Sequence, residues 1–169
     1  VVDREDSMCS VAILHEGPTV FDNIPARPCT LVNPYVAQEM HLGFYAGQAL
    51  RAPDGQPLGS LCVIDRKPRH LSPAEGQLLT QLGLVAQDLL TLQAASASEA
   101  AFDPALRLRL DGLVQQSLTR LHTLAELRTL DLALDPDPAD AARYDAARLD
   151  EASYLAQSLH RELLRVLGK

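Results

Sequence analysis

The stretch FYAGQALRAPDGQPLGSLCVIDRKPRHLSPAEGQLLTQL, from Phe44 to Leu82, constrains the fold more than any other part of the chain. Residues 43–52 and 58–64 are strand-like runs on either side of Pro53-Asp54-Gly55. That tripeptide carries turn chemistry, because glycine takes a positive φ without steric cost. The two runs therefore predict an antiparallel hairpin, its second strand an apolar run of the buried type. Ser72-Pro73-Ala74-Glu75 then combines an N-cap, a first-turn proline and a glutamate at the capping-box position. The helix it opens carries Leu78, Leu79, Leu82, Val85, Leu89 and Leu92 along one face.

Composition breaks near Phe102-Asp103-Pro104. Before it lie the glycine-rich turns, most of the β-branched residues, and a short helix over 35–40 opened by Asn33-Pro34. After it the chain reads as helix. Asp103-Pro104 opens one segment, with Leu106, Leu110, Leu113, Val114, Leu118, Leu121 and Leu124 at helical spacing, and Asp135-Pro136-Asp137-Pro138 breaks it. A last helix presents Leu149, Ala152, Ala156, Leu159, Leu163 and Val166 in alternating steps of three and four, the pattern of a helix–helix seam. The expected organisation is an α+β domain over residues 1–97 and a helical hairpin over 98–169. The seam closes on its own hairpin, on the first domain, or on a second chain in a homodimer.

The charge of −7 over 169 residues argues against a phosphate-binding surface. No stretch approaches the roughly 20 apolar residues of a membrane helix. The expectation is a cytoplasmic chain that binds neither nucleic acid nor membrane. Three cysteines far apart in sequence read as reduced thiols and not as a disulfide framework. The five histidines are scattered without metal-ligand spacing, the Gly55–Gly59 segment lacks the Lys-Ser/Thr of a P-loop, and no nucleophile elbow occurs. No cofactor is legible. The segment frames a pocket and carries no visible catalytic machinery.

With hairpin and helix placed, the stretch resembles the C-terminal half of a GAF domain, of the kind found at the front of bacterial sensor kinases and cyclic-nucleotide synthases. The resemblance rests on Phe44-Tyr45-Ala46-Gly47, the Asp54-Gly55 turn, Leu58-Gly59-Ser60-Leu61-Cys62-Val63-Ile64-Asp65, Pro68-Arg69, Leu71-Ser72 and the leucine-rich helix. Upstream, the segment from Ser7 to Ile13 resembles that family's Cys-containing segment, and Val20-Phe21-Asp22-Asn23 its following strand. The resemblance implies an antiparallel sheet with helices on both faces, and a ligand pocket between the sheet and the connecting segments. It also implies an opening helix and hairpin that precede the Cys segment in that family and are not supplied here. Ala49 and Val11 depart from the family pattern, which commonly has proline and histidine at those places.

The ligand-binding candidates are Cys9, Asp22, Phe44, Tyr45 and Cys62, with Leu149, Ala152, Ala156, Leu159, Leu163 and Val166 as the helix interface. Each has an ordinary structural reading beside the functional one. Free cysteine is among the most buried residue types, and strand-end Gly or Asp is a common turn residue. Gly47 and Gly59 read as points where a neighbouring segment approaches closely. Alternation places Phe44 and Tyr45 on opposite faces, so at most one enters any pocket there.

Three functions compete. The preferred one is a non-catalytic sensory module that couples a small-molecule ligand to a helical hairpin serving dimerisation or a downstream signalling protein. The second is a cysteine-dependent redox enzyme of the free methionine sulfoxide reductase type, with Cys9 or Cys29 as nucleophile, although the chain lacks that family's cysteine pattern. The third is a ligand-free scaffold whose pocket is filled by side chains. Within the hairpin, Ala125-Glu126-Leu127-Arg128-Thr129-Leu130 resembles the phospho-acceptor box of sensor histidine kinases with alanine in place of the acceptor; His122 lies three residues earlier.

Overall fold

A computed structural model describes Asp3 and residues 6–95, 103–134 and 137–168. It falls into two compact units, one ending at Gln87 and the other beginning at Asp88. The composition break near residue 102 and the Asp135-Pro136 helix break lie outside the described residues. The fold is α+β, with a three-stranded antiparallel sheet in the first unit. No helix among the described residues is long and apolar enough to cross a membrane.

In the first unit the order along the chain is α1 (Met8–Ala12), β1 (Thr19–Phe21), α2 (Pro34–Glu39), β2 (Phe44–Arg51), β3 (Pro57–Asp65) and the start of α3 (Pro73–Ala95). β2 is the central strand, pairing antiparallel with β1 and with β3. It is buried from Phe44 to Leu50, which explains its near-continuous apolar sequence. Gln48 is the polar exception, and its amide is satisfied. It donates to the carbonyls of Glu16 and Ala49 and accepts from the Thr80 hydroxyl.

The sheet has helices on both faces. Phe44 and Ala46 pack on Leu79 of α3, while Tyr45 packs with Met8, Val11 and Ala12 of α1 and Ala37 of α2. Period-2 alternation along β2 produces this split. The hairpin turn is closed by Gly55 at φ 86°, the conformation that asked for glycine.

β3 departs from the buried strand expected. Leu58, Val63 and Ile64 are each about half exposed. Among the described strands β3 lies at the sheet edge, so one flank has no neighbour to cover it. An apolar run alone does not distinguish a central strand from an edge strand.

The capping box at α3 forms in full. Glu75 accepts from the Ser72 amide and hydroxyl at 2.8 and 2.9 Å, and the Glu75 amide donates back to the Ser72 hydroxyl. The Ser72 amide holds the Glu75 carboxyl below its ordinary range; partial burial opposes this, and the Ser72 hydroxyl and Arg69 add to it. Glu75→Ala is expected to cost about 1 kcal/mol in denaturant unfolding. Because the folded value is depressed, this contribution is full above the unfolded carboxylate range and fades as pH falls through the folded value. The gap between wild type and Glu75→Gln should therefore close in acid; a gap that persists there would contradict the assignment.

The second unit holds the end of α3, α4 (Pro104–Leu134) and α5 (Pro138–Leu167). Helices α4 and α5 pack antiparallel as a hairpin, as their cross-pairs show: Arg109–Glu162 at 3.3 Å, Arg120–Glu151 at 3.4 Å and Arg128–Asp145 at 3.3 Å. Tyr144 donates to Asp131 nearer the turn. Asp137 caps α5, and Gly168 ends it in the left-handed conformation at φ 70°. Of the seam, Ala156 and Leu163 are buried, Leu149, Ala152 and Leu159 half-buried, and Val166 exposed. The buried Asp88 at the end of α3 meets His160 of α5 at 2.5 Å.

Candidate functional site

The first unit contains a cavity of about 140 Å³ between α1, α2 and the sheet, lined by Cys9, Tyr45 and Cys62 among others. Local sequence puts each of these residues in place. Ser7 caps α1 by accepting from the Cys9 amide at 3.2 Å, which sets Cys9 in the helix's first turn. Tyr45 sits on the α1-facing side of β2 and is 2% exposed. Cys62 lies opposite Gly47 in the β2–β3 register, on the same side as Tyr45.

Gly47 is what makes the tyrosine fit. A Cβ there would lie 2.3 Å from the Tyr45 hydroxyl oxygen and under 3 Å from its ring, so the ring folds back over the bare glycine. The close approach expected at Gly47 is thus made by its own neighbour two residues earlier, not by a separate segment. At Gly59 nothing lies within 4 Å of a Cβ, so no close approach requires that glycine.

Folded back, the Tyr45 hydroxyl reaches Ser60 Oγ at 3.4 Å, and the Phe21 ring tilts against it at 6.3 Å between centroids. Cys9 Sγ and Cys62 Sγ stand 4.0 Å apart. The two thiols differ electrostatically. Burial pushes the Cys9 thiol up, but the hydroxyls of Ser60, Tyr45 and Ser7 and the Cys62 thiol outweigh it, leaving Cys9 below its ordinary value. Cys62 is pushed up to about 11 by burial, with the adjacent Cys9 adding to the shift. Burial likewise drives the Tyr45 hydroxyl up, which keeps it a neutral donor.

The other candidates lie elsewhere. Phe44 is buried on the opposite face of the sheet, with Ala46 and Leu79, and Arg69 stacks over its ring at 5.7 Å. Asp22 is exposed, 3.4 Å from His70 Nδ1. Cys29 is buried in the core cluster beside the cavity but does not line it. The cavity's existence beside Tyr45 and Cys9 weighs against a core filled by its own side chains. Sequence reasoning passed over Ser60, although it sits two residues before Cys62 and therefore on the same strand face. It also passed over Ala37, Met40 and Leu42, which only the return of the 24–43 segment brings to the wall. Among the described residues no group of three or more His, Cys, Asp or Glu converges as a metal site.

A second hollow of about 430 Å³ lies between the 24–28 loop, α2 and Arg66, and shares Ala37 and Leu42 with the first.

No protein-family model matches the chain. Over 139 residues it is 34% identical to the cyclic di-GMP phosphodiesterase PA2567 of Pseudomonas aeruginosa. The similarity spans 75% of this chain and 24% of that protein, about a quarter of its length.

Proposed function

We propose that the chain is a non-catalytic sensory module of the GAF kind that works in cyclic di-GMP signalling. In this reading a small molecule in the Cys9–Tyr45–Cys62 cavity biases the helices that follow. The observation that carries the reading is the cavity, in which three residues far apart in sequence converge on the α1 side of the sheet. The helices on both sheet faces agree with the GAF resemblance, and the likeness to a cyclic di-GMP phosphodiesterase supports the signalling context. The phosphodiesterase activity is a property of that much longer protein. Here the role is regulation.

Size limits the ligand. Sites for drug-sized molecules run about 300–1,000 Å³, so a cavity of 140 Å³ takes a small effector and not a cyclic dinucleotide. The walls are mostly apolar, with hydroxyls at Tyr45 and Ser7 and thiols at Cys9 and Cys62. That lining suits a compact apolar molecule with one or two hydrogen-bonding groups. The output is assigned to the helical hairpin, with a homodimer built on it. Leu127, Leu130 and Leu134 support this, since they share one exposed face of α4.

Native mass spectrometry of the purified chain, before and after incubation with a filtered metabolite extract, tests both halves. A retained small mass is expected in wild type and lost in Ala37→Phe, whose ring would occupy the cavity. The identified ligand should stabilise wild type by about 2.7 kcal/mol at 100 times its Kd and leave Ala37→Phe unmoved. An empty wild type, or a mass retained by Ala37→Phe, would overturn the ligand assignment. A monomer mass would remove the dimer.

A further inference from the structure

We propose that Cys9 and Cys62 form an oxidative modification site: a hydroperoxide converts the pair to a disulfide that pins α1 to β3 across the cavity. The proposal concerns the same cavity as the sensory reading. Its test reads sulfur chemistry and not ligand mass, so either can fail alone.

Geometry carries the argument. The two sulfurs approach to 4.0 Å although 53 residues separate them in sequence. A disulfide brings sulfurs to about 2.0 Å, so rotation about the side-chain bonds and a small shift of the short α1 helix must close the remainder. Helix α1 has five residues, and among the described strands β3 is at the sheet edge, so each has room to shift. Cys9 is only half-buried and faces a cavity that admits a molecule as small as a peroxide. Cys29 is buried outside that lining.

The chemical roles follow from the surroundings of each sulfur. Ser60, Tyr45 and Ser7 favour the Cys9 thiolate, whereas Cys62 stays protonated near neutral pH. Cys9 is therefore the attacking sulfur. Its Sγ forms a bond to one peroxide oxygen as the O–O bond breaks; the departing oxygen takes a proton and leaves as an alcohol, or as water from hydrogen peroxide. Cys62 Sγ then attacks the Cys9 sulfenic acid. The S–S bond forms, the S–O bond breaks, and the hydroxide leaves as water with the proton Cys62 gives up. In sum two thiols lose two electrons and two protons, and the peroxide O–O bond gains them. A dithiol reductant reverses the change.

Stoichiometric hydrogen peroxide on the reduced full chain, followed by alkylation and non-reducing peptide mapping, tests this. The expected product is a Cys9–Cys62 linked peptide, an intact mass lower by two hydrogens, and full reversal by dithiothreitol. Cys62→Ser should accumulate the Cys9 sulfenic acid, trapped as its dimedone adduct, while Cys9→Ser should form no crosslink. Cys29→Ala should react within about twofold of the wild-type rate. Circular dichroism of each variant confirms that it is folded. Crosslinks through Cys29, overoxidation of Cys9 with no disulfide, or a Cys62→Ser protein with no Cys9 sulfenic acid would each overturn the proposal.

Discussion

Gly43→Ala is expected to destabilise the sheet unit by about 3 kcal/mol, a large effect for one methyl group. An alanine Cβ at that position would lie 2.3 Å from the Arg66 carbonyl oxygen and 2.6 Å from the carbonyl carbons of Arg66 and Lys67. These are backbone atoms, and no side-chain rotation relieves the overlap. Nor is the glycine free to move. Its amide donates to the Asp65 carbonyl at 2.8 Å, and its carbonyl accepts from the Ile24 amide at 3.0 Å. The next residue, Phe44, pairs with Asp65 to begin the β2–β3 ladder. Displacing Gly43 therefore loosens the start of the central strand and the 24–43 segment that walls the cavity. Hydrogen exchange of the amides of residues 44–51 reads the effect within this unit alone, which matters because the chain has two units and its global melting need not be a single transition. Gly59→Ala is the control. Nothing lies within 4 Å of its Cβ, and alanine in a strand is expected to be neutral or stabilising by about 0.5 kcal/mol. Equal protection in Gly43→Ala and wild type would sink the argument.

Phe44→Ala is expected to cost about 4 kcal/mol, the upper part of the range for losing a buried aromatic ring. The ring is 1% exposed, packed with Ala46 and Leu79, with Leu61 and Leu71 at its margin and the Arg69 guanidinium above it. Truncation leaves a void between β2 and α3, two rigid elements that collapse poorly. Tyr45→Phe, one residue along, keeps the ring and removes the hydroxyl that contacts Ser60 at 3.4 Å and helps to lower the Cys9 thiol, so it should cost about 1 kcal/mol. The neighbours should also separate by function. Phe44 does not line the cavity and Tyr45 does, so ligand affinity in the folded fraction should survive Phe44→Ala and change in Tyr45→Phe. Urea unfolding with ligand titration at low denaturant reads both. Loss of affinity in Phe44→Ala, measured on protein that remains folded, would show that the two faces of the sheet are coupled.

Much of the first unit's framework was legible in the chain. Pro53-Asp54-Gly55 needs only its own backbone geometry to turn, and Ser72-Pro73-Ala74-Glu75 satisfies helix-start amides within one turn. Both appear where their local chemistry puts them. Asp103, read as the start of the next helix, likewise caps α4 through a contact two residues long; Asp137 was read only as part of a helix break, and it also caps α5. The burial of β3 was not legible, because it depends on what lies beside the strand and not on its composition.

The site divides along the same line. Strand alternation alone separated Phe44 from Tyr45, but it could not say which of them faces a cavity. That choice needed α3 to cover one face and α1 with α2 to cover the other. The meeting of Cys9 with Cys62 depends on the β2–β3 register and on the position of α1, both set by contacts between distant segments. The seam on α5 was visible as a stripe, yet its antiparallel match to α4 rests on pairs such as Arg120–Glu151 that no local pattern encodes. Turns, caps and strand faces were determined by the sequence itself, because φ preferences, capping bonds and side-chain period act over a few residues. Partners, registers and the cavity were decided by the tertiary structure, because they come from packing between segments that the chain must bring together across tens of residues.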